Sequence, residues 1–234
     1  MDRREFNSVW MPVLGACLGL SGGAAQAMSL ADISQGEASQ GLKTALEQGA
    51  KAAVLQLGQP NGYLGNEKVR IPLPGYLNEA ATLLRTLGQG QQLDELVTAM
   101  NRAAEAAVPQ ARDLLLGAVR SMGIEDAKKI LSGGDTSVTT FFAEKTRAPL
   151  GQKFLPVVTR STEKLGLANK YNQIAGRAAE LGLVGRDAAS IQQYVTGKAL
   201  DGLYFVIGEE ERKIRRDPVG SGSAVLSKVF GALK

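Results

Sequence analysis

Apolar residues recur every three or four positions through most of this chain, and no segment alternates apolar and polar positions as a half-buried strand does. Leu42, Ala45, Leu46, Gly49, Ala53 and Leu57 share one stripe, which predicts a helix from Ser34 to Leu57 ending at Gly58. A second stripe begins near Tyr76 with Leu77, Ala80, Ala81, Leu84 and Leu87, and stops at Gly88 and Gly90. The most regular stripe follows: Leu93, Leu96, Val97, Met100, Ala104 and Ala107. Pro109 predicts a break or kink there, because proline lacks the N–H that a helix interior uses. Leu114, Leu115, Ala118, Val119 and Met122 then run to Gly123, and a short helix from Ile124 to Leu131 stops at Gly133 and Gly134. Asp135 and Thr136 are N-cap residues for the segment holding Phe141 and Phe142.

Pro149 and Pro156 predict interruptions after that segment, with Leu155, Val158 and Thr162 leading to Leu165 on another helix. Further helices are expected over 169–181 and 188–216, the second stopped by Asp217 and Pro218. A last amphipathic helix over 224–233 carries Val225, Leu226, Val229, Phe230 and Leu233. The pattern predicts an all-α chain: one helical-bundle domain of about eight or nine helices, with one long extended loop.

That loop is "PNGYLGNEKVRIPLPGYL", from Pro60 to Leu77. Asn61-Gly62 and Gly65-Asn66 are turn dipeptides. Val69 to Leu73 is expected to be extended, since Ile71 and Leu73 each precede a proline. Its apolar residues Tyr63, Leu64, Val69, Ile71 and Leu73 must face something. Two readings are open: the loop closes one end of the bundle, or it is a lid or arm over a ligand or partner.

Composition narrows the chemistry. Apolar residues make up 44% of the chain but aromatic residues only 5%, so the core is aliphatic, as packed helices favour. The net charge of +4 comes from Lys and Arg spread along the chain, without the one-sided basic block of a nucleic-acid binder. There is no histidine, and the sole cysteine is Cys17.

The first residues read as an export signal. Arg3 and Arg4 precede an apolar run from Val9 to Leu20, and Ala25-Gln26-Ala27 has the small-x-small form of a cleavage site. Residues 1–27 are thus expected to be a signal peptide, removed after Ala27, leaving 28–234 as the domain. Arg3-Arg4-Glu5-Phe6 also has part of the twin-arginine pattern, with Asn7 where a Leu is usual. Leu14-Gly15-Ala16-Cys17 offers a second route, cleavage before a lipidated Cys17. The chain is then periplasmic or, by that second route, a membrane-anchored lipoprotein. After either cut the mature chain has no run long enough to span a membrane. After cleavage at Ala27 it also has no His or Cys. That removes Ser-His-Asp and Cys-His nucleophilic sites, the usual zinc sites and disulfides. No cofactor is expected.

Several strings, in order, resemble one exported bacterial family, catalogued as domain of unknown function four-one-nine-seven. They are "GYLGNEKVRIPLPGYL", "MNRAAEAAVPQARDLLLGAVRSMGIEDAKKILSGGDTSVTTFF", "KYNQIAGRA", "YVTGKALDGLYFVIGEEERKIRRDPV" and "LSKVFG". The resemblance covers the chain from about residue 40 to the end. It implies an exported, mainly helical protein and carries no activity or catalytic residue with it.

The candidate site residues come from the residues themselves. On the loop they are Tyr63, Arg70, Ile71 and Leu73. On the "MNRAAEAA" helix they are Asn101, Arg102 and Glu105, with Arg102 and Glu105 spaced as an i, i+3 pair. Near the C-terminus, Tyr194, Lys198, Asp201 and Tyr204 recur at helical spacing. "SGGDTSVTTFF" reads as a helix stop and N-cap, or as an anion-binding turn without the lysine of a phosphate loop. The run Glu209 to Arg216 reads as a solvated helix end with Glu209–Lys213 and Glu211–Arg215 pairs. These features predict a non-enzymatic module that binds a small hydrophobic ligand or an envelope partner protein. An enzyme using carboxylate, Lys or Tyr chemistry in a helical cleft is the alternative, and a lipidated structural envelope protein is a third. The pattern sets no oligomeric state.

Overall fold

The computed structural model describes residues 35–164, 166, 169–171, 173–174 and 190–217. Across these residues the chain is helical, without strands. The helices are α1 (Gln35–Leu57), α2 (Gly75–Leu84), α3 (Gly90–Ala107), α4 (Ala111–Arg120), α5 (Ile124–Ser132), α6 (Ser137–Lys164) and α7 (Ile191–Arg216). A π-turn, Arg85–Gln89, joins α2 to α3 through Gly88, whose φ of 79° has no steric penalty without a Cβ. Pro109 tightens the chain into a 3-10 turn, Val108–Gln110, between α3 and α4, as its missing N–H predicts.

Among the described residues there are fewer helices than the eight or nine expected. The main correction lies in α6, which runs through both Pro149 and Pro156 as one 28-residue helix. Those prolines leave the carbonyls four residues earlier, on Lys145 and Gln152, without a helical donor. Both residues are exposed, so water can supply the bond. On the opposite face Phe142, Thr146, Leu150, Phe154, Val158 and Thr162 form an unbroken i, i+4 row, every member buried. Burial of that row keeps the helix continuous through the two breaks. The expected signal segment with Cys17 and Ala27, most of the 169–181 helix, and the 224–233 helix lie outside the described residues.

α6 and α7 are antiparallel partners at the centre of the bundle. Glu211 meets Ser137 and Val138, Tyr204 meets Thr146, and Asp201 meets Arg147, so positions ascend along one helix as they descend along the other. α1 and α3 pack against α7, while α4 bridges α1 and α6. The core is one mainly aliphatic cluster with Tyr63, Phe142 and Phe154 as its largest fully buried side chains.

The polar run at the end of α7 is less solvated than its composition suggests. Glu211 is buried, and it accepts from the N–H groups of Val138 (3.2 Å) and Thr139 (3.3 Å) at the start of α6. A carboxylate there answers both the unpaired donors and the positive end of the helix dipole. The turn read as an anion site is thus filled from inside the chain. Arg215 pairs with Glu211 at 3.0 Å and donates to Ile130 O (3.0 Å) and Ser137 Oγ (2.8 Å), tying α5, α6 and α7 together. The Glu211–Arg215 pair forms as spaced. Lys213 pairs with Glu210 instead of Glu209, which is shared between Arg212 and Lys68.

Candidate functional site

The loop after α1 turns before it extends. Asn61 sits at φ 68°, a left-handed conformation that Asn tolerates, and Gly62 follows. A Cβ on Gly62 would lie 2.5 Å from the carbonyl oxygens of Gln56 and Leu57, so only glycine lets the turn fold back over the end of α1. Turn hydrogen bonds continue to Arg70, and residues 70–74 then run without regular structure into α2.

The loop is fixed to the bundle by buried side chains on α3. Asn101, fully buried, binds the peptide group of Ile71 from both sides: it accepts from Ile71 N–H (2.8 Å) and donates to Ile71 O (2.9 Å). Its amide also donates to Val97 O (2.8 Å). One turn on, buried Glu105 accepts from the N–H groups of Tyr63 and Leu64, both at 3.1 Å. Arg102 pairs with Glu105 at 2.7 Å, the spacing-predicted contact, and reaches Asn61 Oδ1 at 2.8 Å. Asn101 and Glu105 of the "MNRAAEAA" helix therefore hold the loop's backbone, and Arg102 ties Glu105 to the Asn61 side chain.

α7 holds the loop from the other side. Tyr63 is fully buried and its hydroxyl donates to Ala199 O at 2.6 Å. Burial, with smaller contributions from the charges of Asp201 and Glu105, holds this phenol well above its usual range, so it stays a donor. Its ring lies on Gly202, where a Cβ would come within 2.6 Å of Tyr63 Cε1. The Tyr194 hydroxyl donates to Pro72 O (3.0 Å), and Lys68 pairs with Glu209 at 2.9 Å. Hydrogen bonds from Lys68 and then Arg212 lower Glu209 from the ordinary 4.5 to about 2.

Between loop and α7 lies an open furrow of about 220 Å³, lined by Lys68–Pro72, Lys198, Asp201, Gly202 and Phe205. Phe205 is 39% exposed, with Lys68 Nζ 6.0 Å from its ring centroid. Asp201 is held by Arg147 at 2.6 Å. Lys198 Nζ lies 6.0 Å from the ring centroid of Tyr194.

The predicted residues thus fall into two groups. Tyr63, Ile71, Asn101, Arg102 and Glu105 meet as a clamp on the loop. Arg70, Ile71, Lys198 and Asp201 line the furrow, with Tyr194 at its side. Leu73 is buried in the core, and Tyr204 turns away to α6, where its hydroxyl meets Thr146 Oγ1 at 2.9 Å. Burial pushes the Tyr204 phenol up, against the opposing Thr146 bond and Arg147 charge. Sequence reading missed Phe205, Lys68 and Arg147. Phe205 carried a signal, a large aromatic residue one position past the buried Leu203–Tyr204 pair, where the helix turns outward.

A larger open cleft of about 730 Å³ lies along α3, lined by Arg85, Gly90, Gln91, Asp94, Glu95, Thr98, Ala99, Arg102 and Lys170. Its charges are matched within the chain, Arg85 with Asp94, Lys170 with Glu95 and Arg102 with Glu105. Among the described residues no His, Cys, Asp and Glu group could hold a metal ion, and no helix is long and apolar enough to cross a membrane.

No curated protein and no solved structure matches this chain. One family model does, over residues 32–231, almost the whole length described above and including clamp, loop and furrow. The chain belongs to the family described as Protein of unknown function (DUF4197).

Proposed function

We propose that this protein is an exported, non-enzymatic interaction module that presents the loop–α7 face to a partner in the cell envelope. One observation carries the reading: the loop is bound by buried polar side chains at both of its ends, so it forms part of a rigid surface. A lid must open at low free-energy cost. Opening this loop would leave the peptide groups of Ile71, Tyr63 and Leu64 without Asn101 and Glu105, and would strip Tyr63 from its buried site. Each of these bonds, exchanged for water, costs about 0.5–1.5 kcal/mol net, somewhat more to the Glu105 carboxylate, and exposing the Tyr63 ring adds to that. The reactive atoms of the strongest polar cluster are also committed to backbone groups, which favours binding over catalysis. Export rests on the N-terminal pattern: Arg3 and Arg4, the apolar run, and Ala25-Gln26-Ala27.

The test combines two measurements on full-length protein expressed in its envelope. A photo-reactive benzoylphenylalanine replaces Phe205 on the proposed face, or Leu155 on the exposed face of α6 as the control. The expected result is a discrete adduct from the first position only, together with a bare polypeptide mass under native conditions. Equal labelling at both positions, no adduct at Phe205, or a stoichiometric small molecule carried by the purified protein would each overturn the reading.

A further inference from the structure

We propose that the furrow between Lys68–Pro72 and α7 binds an acidic, aromatic-bearing peptide segment of a partner protein. This deepens the interaction reading above and rests on it. The argument is one of charge, size and shape. Three cations line the furrow, Lys68, Arg70 and Lys198, against one carboxylate, Asp201, which is already taken by Arg147. Lys68 is also tethered, to Glu209, so the excess positive charge is carried by Arg70 and Lys198. A surface so lined draws and orients an anionic partner.

The furrow's volume of about 220 Å³ suits one large side chain and leaves no room for a folded domain. Its wall includes Phe205, a large side chain 39% exposed in a helix whose neighbouring positions are buried. An aromatic residue held open beside cations is the composition of a peptide anchor pocket. The apolar side chain of the guest would rest on Phe205 and Pro72, and its flanking carboxylates would face Lys198 and Arg70. The walls are preformed, since the clamp on Ile71 and the Tyr194–Pro72 bond set the loop edge. Little ordering is then needed on binding. A single exposed aromatic ring in a furrow is too little apolar surface for inserting into a lipid surface, which takes a whole apolar helix face.

The probe is a fluorescein-labelled hexapeptide, Ser-Asp-Glu-Phe-Glu-Gly, titrated with full-length mature protein and read by anisotropy. Its counterpart carries Lys at each acidic position. The acidic peptide is expected to bind and the basic one not to. Phe205→Ser and Lys198→Glu are each expected to weaken binding about tenfold, and the second is expected to gain affinity for the basic peptide. Leu155→Ser, on the exposed face of α6, is expected to change nothing. Both furrow positions are at the surface, and circular dichroism confirms that the variants fold. Absence of binding, or binding that neither furrow variant alters, overturns the proposal. So does binding of phosphatidylglycerol vesicles, sensitive to both variants, in place of the peptide. If the peptide fails while Phe205 still cross-links to a partner, the peptide class is wrong and the interaction face stands.

Discussion

Replacing Asn101 with Ala tests the account of the loop most directly. Asn101 is fully buried and holds both backbone polar groups of Ile71, its N–H and its C=O, at 2.8 and 2.9 Å. Alanine removes both partners, and Ile71 is itself buried, so water cannot replace them without the loop lifting. Each orphaned group costs about 1–3 kcal/mol, so two give about 3 kcal/mol after some relaxation. For a chain of this size urea unfolding has a slope of about 2–3 kcal/mol per M, so the midpoint should fall by about 1 M with the slope unchanged. Asn101→Asp sharpens the test. It keeps the acceptor for Ile71 N–H but turns a donor into a second acceptor facing Ile71 O and Val97 O. It should destabilise at least as much as Ala at neutral pH and recover in acid, when a protonated carboxyl can donate. Thr98→Ala, exposed on the same helix, is the control and should stay within about 0.5 kcal/mol. Amide exchange gives the local readout: Ile71 is protected in the native chain and loses protection in the Ala variant, while the α6 core keeps its own. A midpoint shift no larger than the control's, or an unprotected Ile71 amide in the native protein, refutes the clamp.

Glu211→Ala leaves two N–H groups of α6 and the guanidinium of Arg215 without their carboxylate, so thermal or urea unfolding should show a loss of about 3 kcal/mol; Glu211→Gln should lose less. Gly202→Ala drives a Cβ into Tyr63, and the overpacking should cost about 1–3 kcal/mol, partly offset by helix propensity. Tyr63→Phe keeps the ring but drops the bond to Ala199 O, a loss of about 1 kcal/mol by the same measurement. Glu209 gives a pH signature. Its folded value is held near 2 against an ordinary 4.5, so its contribution is present above 4.5 and is lost as the pH falls through 2. Stability should therefore decline between those values, and Glu209→Gln should flatten the decline; an identical pH profile for the variant would show that the Lys68–Glu209 tether does not act on folding.

Periodicity, glycine, proline and charge spacing identify an all-α chain, the start and stop of α1, the turn at Pro109 and the i, i+3 contact of Arg102 with Glu105. These are local properties: each depends on residues within a turn or two, where spacing maps directly onto geometry. The composition also showed a chain with no histidine and one cysteine, and so narrowed the available chemistry. Pro149 and Pro156 show where local reasoning ends. Their backbone penalty is local, but the i, i+4 row from Phe142 to Thr162 that outweighs it gains its free energy from α3 and α7, far away in sequence. That row was present in the spacing and was masked by the prolines. The fate of the loop was decided at still longer range. Asn101 lies 30 residues from Ile71, and Tyr63 lies 136 residues from Ala199. Glu211 in a charged run reads as solvated until the start of α6 is brought against it. Side-chain type says that a group must be satisfied when buried; only the packing of distant helices decides which groups are buried and which backbone atoms satisfy them.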